Sequence, residues 1–217
     1  MIQEKFTIHT VVTGSDDGRF TYEITRSWNS EKKKALLIAL YPTIDIHHAN
    51  SLDLSSMYLL NHSSQMDLGT IRILNLYSKV QTGKPMVSSL REDLENLAYI
   101  SDVFEEPDIN DYHIILAWGS SLSNHQLTIN TKLQIMQMIK DKGLADNVMQ
   151  LTTDDLDTLT SSGVHPLYLG LHYNRSFWSL SPFPFDAEFQ TLSSKGTLTK
   201  ETTKTTKKGK KKKCTTE

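Results

Sequence analysis

Three residues of this chain stand where apolar segments break off, and their types could do chemistry together. Asn75 closes the stretch Ile71-Arg72-Ile73-Leu74. Its amide carries a donor and an acceptor that match the Watson–Crick edge of a pyrimidine, or that serve a local backbone turn. Trp118-Gly119 closes His113-Ile114-Ile115-Leu116-Ala117, and the indole is either a stacking surface or core beside a tight turn. His165 follows Gly163-Val164, and Pro166 after it restricts it to extended backbone. A histidine so held can donate to an anion developing on a leaving group, or can be a satisfied loop residue.

Other candidates surround these three. Tyr41-Pro42 ends an apolar run, and Asp45 and Asp53 follow it. A carboxylate there can orient a water, and Asp53 can equally cap the helix that starts beside it. Tyr77 can stack on a base or cover the end of the sheet, and Arg26 can bind a phosphate or make a structural ion pair. His47-His48 are adjacent, and neighbours on extended backbone point opposite ways, so they do not read as a metal pair. With no phosphate-loop, dinucleotide, zinc-helix or serine-hydrolase motif in the sequence, no metal or cofactor is expected.

The elements that must position these residues can be read from the pattern. Residues 5–12 and 19–28 predict two strands joined at Gly14-Ser15-Asp16-Asp17-Gly18, a hairpin. Residues 35–41 are apolar on both faces, as a central covered strand requires, and Pro42 ends it. A helix over 51–64, a strand over 71–76, a helix capped by Ser88 or Ser89, a strand over 113–118, a helix over 125–141 and a strand over 147–151 complete the alternation. The pattern predicts one α/β domain over residues 1–190, a three-layer α/β/α sandwich with a mostly parallel central sheet and an antiparallel hairpin at its front. Ligands of such sheets sit beyond the carboxyl ends of the strands, where Pro42, Asn75, Tyr77, Trp118, Gly119 and His165 fall.

Composition sets limits. The chain has 217 residues, 38% hydrophobic and 22% charged, enough to bury a core. Residues 1–194 hold fourteen Lys or Arg against twenty-three Asp or Glu, whereas residues 195–217 hold nine Lys and two Glu. An acidic body does not suit wrapping duplex DNA, but residues 191–217, a Lys/Thr-rich stretch read as a disordered tail, can attract nucleic acid or another polyanion, or simply solubilise. The longest aliphatic run, residues 35–40, is too short to span a membrane, and the start of the chain is too polar for a signal peptide. The one cysteine, Cys214, fits a cytoplasmic setting, with no membrane partner.

Taken together the motifs resemble the domain of unknown function family 1643. Tyr22 through Arg26 and Trp28 look like its opening Tyr-x-Leu-x-Arg-x-Trp, and Leu40-Tyr41-Pro42-Thr43 with Asp45 looks like its Leu-Asn-Pro-Ser-Thr-Ala-Asp, with Tyr41 in place of Asn. Asn75-Leu76-Tyr77, Ala117-Trp118-Gly119 and His165-Pro166-Leu167-Tyr168-Leu169 match its later motifs. A more distant similarity is to uracil-DNA glycosylases, in the order of Ile73-Leu74-Asn75, Leu116-Ala117-Trp118-Gly119 and His165-Pro166. That resemblance implies a glycosylase-like fold, with Asn75 as base reader and His165 as donor to the leaving base. It also implies an acid that activates water, at Asp45 or Asp53, although Tyr41 stands where the glycosylases carry that acid. The expectation is an enzyme acting on the N-glycosidic bond of a nucleobase, nucleotide or single-stranded nucleic acid, with a non-catalytic binding module as the alternative.

Overall fold

The computed structural model describes residues 2–83, 86–156 and 163–196. They form a mixed α/β fold of seven strands and five α-helices. In chain order these are β1 (His9–Gly14), β2 (Thr21–Ser27), β3 (Lys33–Ala39), α1 (Leu54–His62), β4 (Leu68–Asn75), α2 (Leu94–Phe104), β5 (Tyr112–Leu116), α3 (Gln126–Asp141), β6 (Val148–Thr153), α4 (Pro166–His172), β7 (Trp178–Pro182) and α5 (Phe185–Lys195). One sheet holds all seven strands in the order β1-β2-β4-β3-β5-β6-β7.

The doubly apolar run is used in full. Leu36 and Ile38 of β3 enter one buried cluster together with α2, α3 and α5, while Ala35, Leu37 and Ala39 enter a second cluster with Leu59 of α1 and Leu169 of α4. Alternation along a strand sends neighbours to opposite faces, so the helices are divided between the two faces of the sheet.

The sheet is mixed rather than mostly parallel. β4, β3, β5 and β6 run parallel in its centre, but β1 with β2, β2 with β4, and β7 with β6 are antiparallel. At the front edge the chain turns straight back from β1 into β2, whereas at the far edge β7 lies antiparallel to β6 after the intervening α4. The front of the fold is more interleaved than a simple hairpin, since β4 is inserted between β2 and β3. The loop joining those two strands crosses β4 at Gly69, whose carbonyl accepts the amides of Trp28 and Asn29 at 2.9 and 3.2 Å. A Cβ there would stand 1.9 Å from the Asn29 carbonyl oxygen, so only glycine admits the crossing.

Several boundaries differ from the sequence reading. β1 starts at His9, because the turn at Ser15 and Gly18 sets its register against β2 and carries the pairing on to Gly14. Val87–Ser89 is a separate 3-10 turn, and Asp93 caps α2 instead of Ser88 or Ser89. Asp93 does so because its carboxylate also accepts the Ser78 amide and hydroxyl at 2.8 and 2.7 Å, tying α2 to the chain leaving β4. The expected domain boundary at residue 190 falls inside α5, which runs on to Lys195 and buries Leu192. Residues 197–217, where most of the basic tail was read, lie outside the described residues. Among the described residues no helix is long and apolar enough to cross a membrane.

A buried ion network joins β2, β4 and the end of α2. Arg72 donates from Nε and Nη2 to the two carboxylate oxygens of Glu23, both at 2.8 Å, and also holds Glu106. Tyr99 donates to Glu23 at 3.1 Å. Removing one member of a buried pair leaves the other charge without compensation. Arg72→Met is therefore expected to cost about 3–5 kcal/mol, measured by urea unfolding. Burial pushes the Glu23 carboxyl up, but its bonds from Arg72 and Thr25 outweigh this and hold it below its ordinary 4.5. Its stabilisation is complete above that value and is lost as the pH falls through the lower folded-state value, so Glu23→Gln is expected to show a smaller acid-side loss than wild type.

Candidate functional site

A cavity of about 610 Å³ opens beyond the carboxyl ends of β3, β4 and β5, on the face covered by α1 and α4. Its position follows from the strand order. The chain leaves β3 by α1 toward β4 and leaves β4 by α2 toward β5, so the connections diverge on opposite faces and a crevice stays open at the switch between β3 and β5. Its size lies within the roughly 300–1,000 Å³ usual for small-molecule sites. Leu37, Ala39 and Ile73 form its sheet wall, Ser55, Ser56 and Leu59 come from α1, and Tyr168, Leu171 and His172 come from α4.

Pro42, Asn75, Trp118, Gly119 and His165, read from four separate stretches of sequence, all line this cavity. Asn75 is the last residue of β4 and only 2% exposed. Its carbonyl oxygen accepts from the Asn96 amide at 2.8 Å, which fixes the backbone from α2. Its own side-chain nitrogen is buried with no hydrogen-bond partner among the described residues. Burying an amide nitrogen unpaired is costly, and a ligand acceptor in the cavity would repair it.

His165 sits just ahead of α4 in extended backbone, φ −78° and ψ 139°, as Pro166 demands. Its Nδ1 accepts the Leu167 amide at 3.1 Å. A ring nitrogen that accepts carries no proton, so the neutral ring bears its proton on Nε2 and can donate from there. Burial pushes the imidazole down to about 4, against a pull upward from the Asp53 carboxylate. Gly119 makes room for this ring. Its φ is +69°, its amide donates to the Gly163 carbonyl at 2.7 Å, and a Cβ would lie 3.1 Å from the His165 Cβ.

Trp118 is 1% exposed and packs edge-on against Phe183, with ring centroids 6.3 Å apart, so most of the indole is core and only part of it reaches the cavity. Behind it lies Lys132, a residue the sequence reading passed over. Its Nζ is 4.9 Å from the Trp118 ring centroid and 3.4 Å from the Gly119 carbonyl oxygen, and burial lowers the amine to about 8. The signal was a lysine between Ile129 and Leu133, on the arc of α3 that faces the core.

Two expected site residues fall elsewhere. Tyr77 is buried in the opposite cluster, its hydroxyl 2.8 Å from that of Thr128. β4 ends at Asn75 and strand alternation stops with it, so Leu76 and Tyr77 both turn to that face. Asp45 caps the 3-10 turn Ile46–His48, accepting the His47 amide and bonding the His48 ring, each at 2.8 Å. Asp53 lines the cavity in its stead. It also caps α1, with one oxygen accepting the Ser56 amide at 2.7 Å and the other the Thr43 hydroxyl at 2.5 Å. Arg26 makes no ion pair among the described residues; it donates to Thr10 at 2.9 Å and to the Ser51 carbonyl at 2.6 Å, bracing the loop that carries Asp53. Tyr168, missed earlier as a lining residue, stacks on His172 at 4.4 Å across one turn of α4 and shapes the mouth. Among the described residues no group of three or more His, Cys, Asp or Glu is arranged to hold a metal.

The depressed value at His165 has a consequence for stability. Between about 4 and the ordinary 6.5 the unfolded chain binds a proton that the folded chain does not, so folding stability rises with pH across that window. His165→Gln is expected to flatten this rise in chemical-denaturation series. Nitrogen-15 NMR of wild type at neutral pH is expected to show the neutral ring protonated on Nε2.

The comparisons with known proteins bear on this arrangement. No curated protein and no solved structure matches the chain. The sequence model of one family, described as a protein of unknown function (DUF1643), matches residues 21–167. That span runs from the start of β2 to the first turn of α4, and so takes in Asn75, Trp118, Gly119 and His165. The match covers well over half the chain, which therefore belongs to the DUF1643 family.

Proposed function

We propose that the cavity binds a nucleobase-bearing ligand and that the protein cleaves its N-glycosidic bond. The single observation that carries this reading is the pairing of two polar residues in the lining of one cavity: Asn75, whose side-chain nitrogen has no partner among the described residues, and His165, an imidazole whose remaining proton is on Nε2. An amide reads a base edge with one donor and one acceptor. The order of Leu74-Asn75, Trp118-Gly119 and His165-Pro166 along the chain, which resembles that of uracil-DNA glycosylases, supports the same assignment.

The chemistry follows from the roles. When the bond between sugar C1′ and base nitrogen breaks, its electron pair leaves with the base, and the sugar becomes electron-poor. His165 Nε2–H donates to the base oxygen that gathers the negative charge, and a neutral imidazole does this without having to shed a proton beforehand. Water attacks C1′, its proton passes by way of Asp53, and the base leaves in protonated form. Asp53 is the carboxylate for this step because it shares the cavity with His165, whereas Asp45 is committed to its own turn.

A second reading, a binding module without turnover, is favoured by one fact: both Asp53 oxygens already accept a hydrogen bond, from Thr43 and from Ser56. One experiment separates the two. Purified protein is incubated with nucleosides, nucleotides and oligonucleotides, free base is measured by chromatography, and melting temperature is followed in parallel. The hydrolase reading expects base release that falls about 10²–10³-fold in His165→Ala, the usual loss when one such donor is removed. The module reading expects a rise in melting temperature with no release. No release and no shift across the whole panel would sink both.

A further inference from the structure

We infer that the ligand of this cavity is uncharged, a free nucleobase or a nucleoside, and that phosphorylated forms and nucleic-acid strands are excluded. The inference rests on the nucleobase reading and narrows it.

A phosphate group brings between one and two negative charges and asks for Lys, Arg or open backbone amides in return. The cavity offers the opposite. Its lining holds the carboxylate of Asp53 and, among the described residues, no Lys or Arg. Two cations of the surrounding fold are turned to other partners. Arg26 donates from its two terminal nitrogens to Thr10 and the Ser51 carbonyl, with its Nε buried and unpartnered among the described residues, and Lys132 points its amine at the Gly119 carbonyl and the Trp118 ring. His165 supplies a neutral donor at physiological pH, not a positive charge.

Several amides at the two helix starts beside the cavity are also taken. At the start of α4 the Leu167 amide goes to His165 Nδ1, and those of Tyr168 and Leu169 go to the His165 carbonyl at 3.0 and 3.2 Å. At the start of α1 the Ser56 amide goes to the Asp53 side chain and the Met57 amide to its carbonyl. The excess of acidic over basic residues across residues 1–194 extends the same bias beyond the cavity. What remains facing inward is an amide, a neutral imidazole, hydroxyls and apolar walls, with the stacked Tyr168 and His172 at the mouth. Those groups recognise a planar heterocycle and its sugar hydroxyls.

The test is titration calorimetry on the full-length chain with adenosine, guanosine, cytidine, uridine and thymidine, their bases, their 5′-monophosphates and a short single-stranded oligonucleotide. Each is repeated with Asn75→Asp, whose melting temperature confirms that it is folded. Support is binding of at least one base or nucleoside that is about tenfold or more tighter than its monophosphate and is lost in Asn75→Asp. Asn75-dependent binding of a monophosphate or of the oligonucleotide as tight as that of the nucleoside overturns the inference and leaves the nucleobase reading standing. If nothing in the panel binds in an Asn75-dependent way, the nucleobase reading falls and the inference falls with it.

Discussion

The structure depends on the placing of β3 between two parallel neighbours. It is hydrogen-bonded to β4 on one side and β5 on the other, and its apolar side chains enter buried clusters on both faces. A strand covered in this way cannot give its carboxyl end to either face, so the chain must leave past Pro42 along a loop before α1 begins. The next crossover goes to the other face. The crevice between the two departures is a result of topology, and no single side chain creates it. The residues discussed as a site hang from the three strand ends around that crevice or from the starts of α1 and α4, which flank it.

The polar groups around the crevice sort into those spent on the fold and those left facing in. Asn96 holds the Asn75 carbonyl, the Gly163 carbonyl holds the Gly119 amide, and Arg26 holds the Ser51 carbonyl below the Asp53 loop. Each of these bonds locks the backbone beside a cavity residue from outside the cavity. A side chain whose backbone is held this way keeps its orientation without help from a ligand, as a preorganised site requires. The Asn75 amide nitrogen and the His165 Nε2 stand out because they are the polar ends this bracing does not use.

Much of this was legible along the chain. The apolar runs at 35–41, 71–76 and 113–118 are β3, β4 and β5 to within a few residues, and the residues that end them, Pro42, Asn75, Trp118 and Gly119, line one cavity. Pro166 correctly implied extended backbone at His165. Where the reading departed, local periodicity had stopped carrying information. Tyr77 stands just past the end of one strand and Asp45 just past the end of another, but nearness to a strand end does not fix where a loop side chain turns. Asp53, eight residues further on, returns to the cavity because capping α1 brings it there. The front edge is the antiparallel hairpin that its turn cluster implies, whereas the far edge escaped the reading: β7 is short and mixed in polarity, and nothing in its own pattern marks it as a strand or states its direction.

The chain alone settled which segments must be covered on both faces, where each of them ends, and what chemical type stands at each end. Those are properties of short windows, governed by burial and by backbone rules that act over a few residues. Only the folded arrangement decided which ends meet, that the imidazole of His165 is held neutral, that Asp53 and not Asp45 shares its cavity, and that Lys132 faces Gly119 and the Trp118 ring. Those facts depend on the strand order and on burial by residues distant in sequence, and such long-range closure leaves no periodic trace in the sequence.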